Sequence, residues 1–252
     1  MTVATSLIPG LEEIVRHGDP KRRAEAARRI AELFVRGAAN FQPDHVALFD
    51  DVLIGLVPHT ALAARIDLAE RLSVIANAPR ALVGHLARED EISVAGPLLR
   101  RSPAIDEEAL IDIARVKGQG HLLALSDRTT LSPDLTDVIV RRGDRDVVRR
   151  AAGNAGALFS KVGYSVLIRR AGQDSGLTLA VGQRDDLSGE QLKDLLAGSA
   201  DIVRRRLLEA ARPSRKADIK RLLSEISGVP EQVGGRRDFA PAQRTVLALH
   251  RA

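Results

Sequence analysis

The sequence predicts an all-α fold, a right-handed α-solenoid of stacked helical pairs, and three observations carry that prediction. The first is a repeat of about 26 to 29 residues between Ile66 and Arg212: an apolar residue, a capping residue, a helical stretch, a charged turn and a second helical stretch. Its clearest marks are Ile105-Asp106, Leu131-Ser132, Phe159-Ser160 and Leu187-Ser188, with caps 26, 28 and 28 residues apart. A period of this size marks stacked helical pairs. The second is composition: 44% of residues are hydrophobic but only 2% aromatic, so Leu, Val, Ile and Ala must fill the interior, as they do between amphipathic helices. The third is punctuation, because Ser, Asp and Asn stand where helices should start and basic residues with Gly where they should stop.

The elements follow in order. An apolar stretch runs from Leu7 to Val15, and Asp19-Pro20 then opens a helix over Lys21 to Val35. Asp19 suits the N-cap, and Pro20 suits the first helical position because its missing amide would find no partner there. Ala24, Ala27, Ile30, Ala31 and Phe34 share one face at steps of three and four. Asn40 to Pro43 breaks the chain before a helix over Asp44 to Leu56, and Pro58-His59-Thr60 breaks it again. Residues 1–65 read as a helical capping unit that shields the apolar edge of the first repeat.

Residues 66–212 form the repeats. First helices are expected after the caps Asn77, Asp106, Ser132, Ser160 and Ser188. They end in basic residues and a Gly, as in Arg141-Arg142-Gly143, where cations favour the negative end of the helix dipole and Gly relaxes a left-handed closing turn. Second helices open at Asp144 to Asp146 or at Asp201, with apolar doublets Val147-Val148 and Ala151-Ala152, or Ile202-Val203 and Leu207-Leu208. Beyond Arg212 the period fails. Residues 213–252 read as a basic helix from Arg215 to Ile226, a loop over Gly228 to Phe239 and the start of a further helical segment from Ala240 to His250, whose apolar face implies more sequence to pack on.

Composition also excludes. The absence of Cys removes disulfides, thiolate metal sites and a cysteine nucleophile, and suits a reducing compartment. No run approaches the roughly 18 apolar residues of a membrane span, so a cytoplasmic location and no membrane partner are expected. The net charge of +5 is unevenly spread along the chain. Residues 1–200 carry 26 Lys and Arg against 27 Asp and Glu, and residues 201–252 carry 12 against 6, which assigns the basic character to the C-terminal part.

Two sets of residues carry a resemblance. Gly143-Asp144-Arg145-Asp146-Val147-Val148-Arg149-Arg150, Gly198-Ser199-Ala200-Asp201-Ile202-Val203-Arg204-Arg205 and, more loosely, Gly18-Asp19-Pro20-Lys21-Arg22-Arg23 resemble second helices of HEAT-like repeats and of the leucine-rich repeat variant. The stretch from Asp67 to Arg101, with Leu68-Ala69-Glu70-Arg71-Leu72-Ser73 and Asn77-Ala78-Pro79, and Arg237-Asp238-Phe239-Ala240-Pro241-Ala242-Gln243-Arg244 resemble an uncharacterised bacterial domain family of unknown function. The resemblance covers most of the chain. It implies an all-helical repeat fold and further sequence beyond Ala252, and no activity.

No reactive set converges in the sequence. The six histidines are scattered, and the nearest thing to a metal cluster, Asp44-His45 with Asp50-Asp51 and His59, does not share a helical face. Asp185-Asp186, Glu107-Glu108 and Glu89-Asp90-Glu91 sit at turns or helix starts, where the dipole already favours carboxylates. Gly153-Asn154-Ala155-Gly156 with Lys161 lacks the spacing of a phosphate loop. No enzyme, metal or cofactor is expected. The arginine doublets stand out: Arg100 and Arg101, Arg149 and Arg150, and Arg204 and Arg205, all in second helices. Stacked side by side, they would form a ladder able to hold an acidic partner or phosphates; as plain solvated faces they would instead pair with neighbours such as Asp146, Asp201 and Glu209. The expectation is a non-catalytic module that docks a protein or peptide on its second-helix surface. Nucleic acid is the alternative partner, disfavoured by the charge-balanced body and the near absence of aromatics.

Overall fold

The computed structural model describes residues 13–14 and 17–227, and within them the fold is all-α. The helices are α1 (Pro20–Gly37), α2 (Pro43–Leu56), α3 (Leu62–Leu72), α4 (Arg80–Leu86), α5 (Ile92–Arg101), α6 (Glu107–Val116) and α7 (Gln119–Ser126). They continue with α8 (Pro133–Arg142), α9 (Arg145–Gly153), α10 (Lys161–Ala171), α11 (Ser175–Gly182), α12 (Gly189–Ala197), α13 (Asp201–Ala210) and α14 (Pro213–Ser227). Short 3₁₀ turns follow α1 and α2. Most of the apolar stretch Leu7 to Val15, the loop Gly228 to Phe239 and the segment Ala240 to His250 lie outside the described residues.

The caps explain the helix starts. Asp19 accepts from the Arg22 amide, Asp106 from Ala109, Ser132 from Leu135, Ser160 from Gly163 and Ser188 from Gln191, each satisfying an amide that the first turn leaves without a partner. Asp144 caps α9 through the amides of Asp146 and Val147. Asn77 is the exception among the expected caps. Its Nδ2 donates to the Ala38 carbonyl at 2.6 Å, and α4 begins three residues later, behind Pro79. The capping work passes to Asp50 of α2, whose carboxylate accepts from the amides of Ala81 and Leu82 at 2.8 and 2.7 Å. A carboxylate two helices upstream thus stands where a local side chain was expected.

The closing turns also differ from expectation. Gly143 has φ −62° and ψ 143°, Gly172 φ −55° and Gly198 φ −79°, so none is left-handed. Gly143 is required by close approach instead, since a Cβ there would lie 2.7 Å from the Ile139 carbonyl oxygen and 2.5 Å from Val147.

Helices pack mainly on their neighbours and on the next helix but one. Odd-numbered helices touch in succession, α1 on α3, α3 on α5, and so on to α13, while α2 packs on α4, and α6, α8, α10, α12 and α14 follow one another. This alternation sorts the helices into an odd row and an even row with the apolar core between them. The core runs from Ala26 through Leu72, Leu98 and Leu125 to Ala157, and a second cluster continues from Val140 through Leu167 and Leu196 to Leu222. Among the described residues, only Leu131 and Ala157, in successive turns, pair as an isolated bridge.

Candidate interaction surface

The six arginines picked out by the sequence all fall on odd-numbered helices, as a shared surface requires: Arg100 and Arg101 end α5, Arg149 and Arg150 lie in α9, and Arg204 and Arg205 in α13. They do not form an unbroken ladder. The intervening α7 and α11, Gln119–Ser126 and Ser175–Gly182, contain no charged residue at all.

Their environments divide them. Arg149 is held by Asp174, the cap of α11: its Nε donates to both carboxylate oxygens at 3.0 and 2.9 Å and its Nη2 to Oδ1 at 2.5 Å. Arg145 Nε reaches the same carboxylate at 2.8 Å, and the Leu177 amide at 3.0 Å. Burial pushes the Asp174 carboxyl up, but the hydrogen bonds from Arg149, Arg145 and the amide outweigh it and hold the group well below the usual carboxylate range. Arg204 is equally committed, donating to the carbonyls of Leu196 and Ala197 at the end of α12 and to Asp201. Arg150 is exposed and touches Asp127 at 3.3 Å, whereas Arg100, Arg101 and Arg205 are exposed with no hydrogen bond or ion pair among the described residues.

Arg204 meets the Leu196 and Ala197 carbonyls 8 and 7 residues before it, and other arginines meet helix-end carbonyls over a longer range. Arg128 donates to Leu99 and Ser102, Arg142 to Ala114 and Lys117, Arg170 to Val140 and Gly143, and Arg215 to Arg184 and Leu187, always to carbonyl oxygens 25 to 31 residues earlier. Each satisfies carbonyls at or just beyond the end of a helix in the preceding pair, where the dipole favours a cation. Asn154 does the same for the carbonyls of Ser126 and Arg128. Arg184 is the most deeply set, with 7% of its side chain exposed. It donates to the carbonyls of Ala152, Asn154 and Ala157, to Asp186 and to the Tyr164 hydroxyl, and lies 4.8 Å over the Phe159 ring. Burial, with the Asp186 carboxylate alongside, pushes the Tyr164 hydroxyl up to about 12.

Of the exposed candidate arginines, Arg150 lines a groove of about 750 Å³ between α7 and α9, whereas Arg100, Arg101 and Arg205 stand outside it. Leu123, Asp127 and Thr129 form one wall, Asp146, Arg149, Arg150 and Asn154 the other. Asp146 was legible only as a neighbour with which an arginine could pair; the signal for a groove lay in the conjunction of an uncharged α7 with an arginine doublet one unit later. His121 does not contribute: it is buried, with Nε2 2.8 Å from the Glu89 carbonyl, and Asp127 is occupied by Arg150. His45 Nδ1 accepts from the Gln42 amide and His59 Nε2 meets Arg23, so these two serve local structure. No three His, Asp or Glu groups gather at metal-binding distance among the described residues.

A family model matches residues 94–252, from within α5 to the end of the chain and across the α7–α9 groove. The chain belongs to DUF2336, described as an uncharacterised protein conserved in bacteria. The DUF2336 region therefore contains all six candidate arginines, while α1 to α4 precede it. No curated protein and no solved structure matches the chain. No described helix is long and apolar enough to cross a membrane.

Proposed function

We propose that this DUF2336 chain is a non-catalytic interaction module, a right-handed α-solenoid of HEAT-like helical pairs, that docks a protein or peptide partner on the surface of its odd-numbered helices. The observation that carries this reading is a division of charge between the two rows. The odd-numbered helices hold 16 Lys and Arg against 7 Asp and Glu, whereas the even-numbered helices hold 12 against 12. A one-sided excess steers and holds an acidic partner, and the α7–α9 groove offers it a recess in which Arg150 keeps most of its donors free. The alternating contacts and the cap period support the repeat architecture.

The same excess also suits a nucleic acid, the second reading. The odd-numbered helices bring only one aromatic residue, Phe34, and it is fully buried, so they offer no platform on which bases could stack. A protein ligand is the better match.

The test is cross-linking mass spectrometry on complexes captured by the purified chain, comparing wild type with Arg150→Glu combined with Arg205→Glu. Cross-links from a protein to the odd-numbered helices, lost in the double variant at unchanged melting temperature, support the reading. Retention of duplex DNA alone, with affinity falling steeply between about 50 and 200 mM salt, overturns it in favour of the second.

A further inference from the structure

The centre of the even row is polarised. Its helices α6, α8 and α10 pack side by side, and arginines tie their C-terminal ends together: Arg142 of α8 to the Ala114 and Lys117 carbonyls, Arg170 of α10 to those of Val140 and Gly143. The three helices therefore run in one direction. α6 carries Glu107, Glu108 and Asp112 against Arg115, α8 carries Asp134 and Asp137 against Arg141 and Arg142, and α10 carries Lys161, Arg169 and Arg170 with no carboxylate. Charge thus passes from acidic through balanced to basic across three neighbours. Beyond α6 the sign reverses around α4, whose Arg80 and Arg88 stand across a groove from Asp106 and Ala109. Beyond α10 it reverses at α12, with Glu190 and Asp194 against Lys193.

Much of this charge is uncommitted. Glu107, Glu108, Asp134, Lys161 and Arg169 are exposed and their side chains make no hydrogen bond or ion pair among the described residues, whereas Asp112 pairs with Arg115, and Asp137 with Ser160 and Arg141. Ala109 turns toward α4, which puts Glu107 on the α8 side of α6 and Glu108 on its outer face. Arg80 and Arg88 reach neither of them. The same face exposes apolar side chains: Val116 at the C-terminal end of α6, Leu158 just before α10 and Val162 in its first turn each keep more than half their surface in solvent. Along α10 the outer face reads Val162, Ser165, Val166 and Arg169, apolar at the start and basic at the end. α6 reads from acidic, at Glu107 and Glu108, to apolar, at Val116.

We infer that this face binds a second copy of the chain across a two-fold axis passing through α8. Such an axis, perpendicular to the face, reverses both the order of the helices and their direction. It lays α6 head to tail on α10 of the second copy, so that Glu107 and Glu108 meet Arg169 of that copy and Val116 meets its Val162 and Leu158. Each α8 lies on its counterpart, Asp134 opposite Arg141 and Val138 near the axis. One step farther out, Arg80 and Arg88 turn toward Glu190 and Asp194 of the second copy. Lys161 falls near Arg115 of the second copy, whose charge Asp112 already offsets. One operation thus sets acid against base and apolar against apolar, and does so twice. A nucleic acid would be repelled by the carboxylates of α6. The odd-numbered helices, with 16 cations against 7 carboxylates, repel a copy of themselves and stay open to the partner proposed above.

The experiment is sedimentation equilibrium of the full chain over a series of concentrations, where a monomer–dimer equilibrium is expected. Glu108→Arg and Arg169→Glu, each alone, should raise the dissociation constant at least about tenfold, because each sets like charges opposite one another twice in the dimer. Mixing the two variants, or combining both substitutions in one chain, should restore the affinity, since the facing charges are then opposite again. Arg36→Glu, at the exposed end of α1, changes the net charge as much as Arg169→Glu and should leave the dissociation constant unchanged. Glu108→Gln and Arg169→Gln, which should each weaken the dimer about threefold, stand in for the reversals if these lower the melting temperature. A chain that remains monomeric up to submillimolar concentration overturns the inference. So does a dimer that neither reversal weakens, or one that mixing the two variants fails to restore.

Discussion

At the scale of single residues, arginine in this protein is mostly mortar. Arg184 shows why: its planar fork places donors toward three carbonyls, a carboxylate and a phenol at once, a set that a lysine cannot match. Arg184→Met keeps much of the apolar stem but leaves the carbonyls at the end of α9 without donors, and should cost at least ~3 kcal/mol in urea unfolding. Asp174 gathers Arg145, Arg149 and the amide of Leu177 on one carboxylate. Because its folded pKa is depressed, its stabilisation is complete above the ordinary Asp value of about 4 and is lost as pH falls from there toward the folded value. Asp174→Asn should therefore lower the melting temperature at pH 7 and narrow its gap to wild type as pH is taken from about 5 towards 2; a gap that stays constant would deny the carboxylate this role. These partners were illegible in the sequence. Arg149 and Arg150 are adjacent and alike there, and the α9 helix turns one onto Asp174 and the other into the groove.

At the scale of elements, the caps Asp106, Ser132, Ser160 and Ser188 were legible because an N-cap acts within three residues of itself, a distance the sequence displays directly. Asn77 misled for the complementary reason. The turn after α3 places its amide against Ala38, and the start of α4 is served from 31 residues upstream by Asp50. Asp50→Ala should fray the seven-residue α4, costing about 1–2 kcal/mol, with faster amide exchange at Ala81 and Leu82 and no change in α12. The turn at Gly156 makes a similar demand: a Cβ there would overlap the Thr129 carbonyl oxygen, next to the Leu131–Ala157 bridge. Gly156→Ala should lower the melting temperature by several degrees, as expected of ~2 kcal/mol of strain in a chain of this size.

At the scale of the whole molecule, each helix depends mainly on partners one or two places away, so stability should be local. Leu72 and Leu196 are both fully buried, one in each core cluster. Leu196→Ala, a loss of about 2–5 kcal/mol, should speed hydrogen exchange in α10, α12 and α14 while leaving α2 and α3 protected; uniform loss of protection along the chain would contradict this. The sequence by itself determined the all-α class, the apolar faces and the helix starts with local caps, the start near Asn77 excepted, because caps and periodicity act over a few residues. It also placed the basic excess at the C-terminal end, which is correct along the chain and incomplete in space. Stacking decided the rest: it sorted alternate helices into rows of unequal charge, consumed Arg128, Arg142, Arg170, Arg184 and Arg215 at helix ends one pair away, and left Arg150 in the α7–α9 groove. Pairing across 25 or more residues depends on where the chain returns, and only the packed core fixes that return.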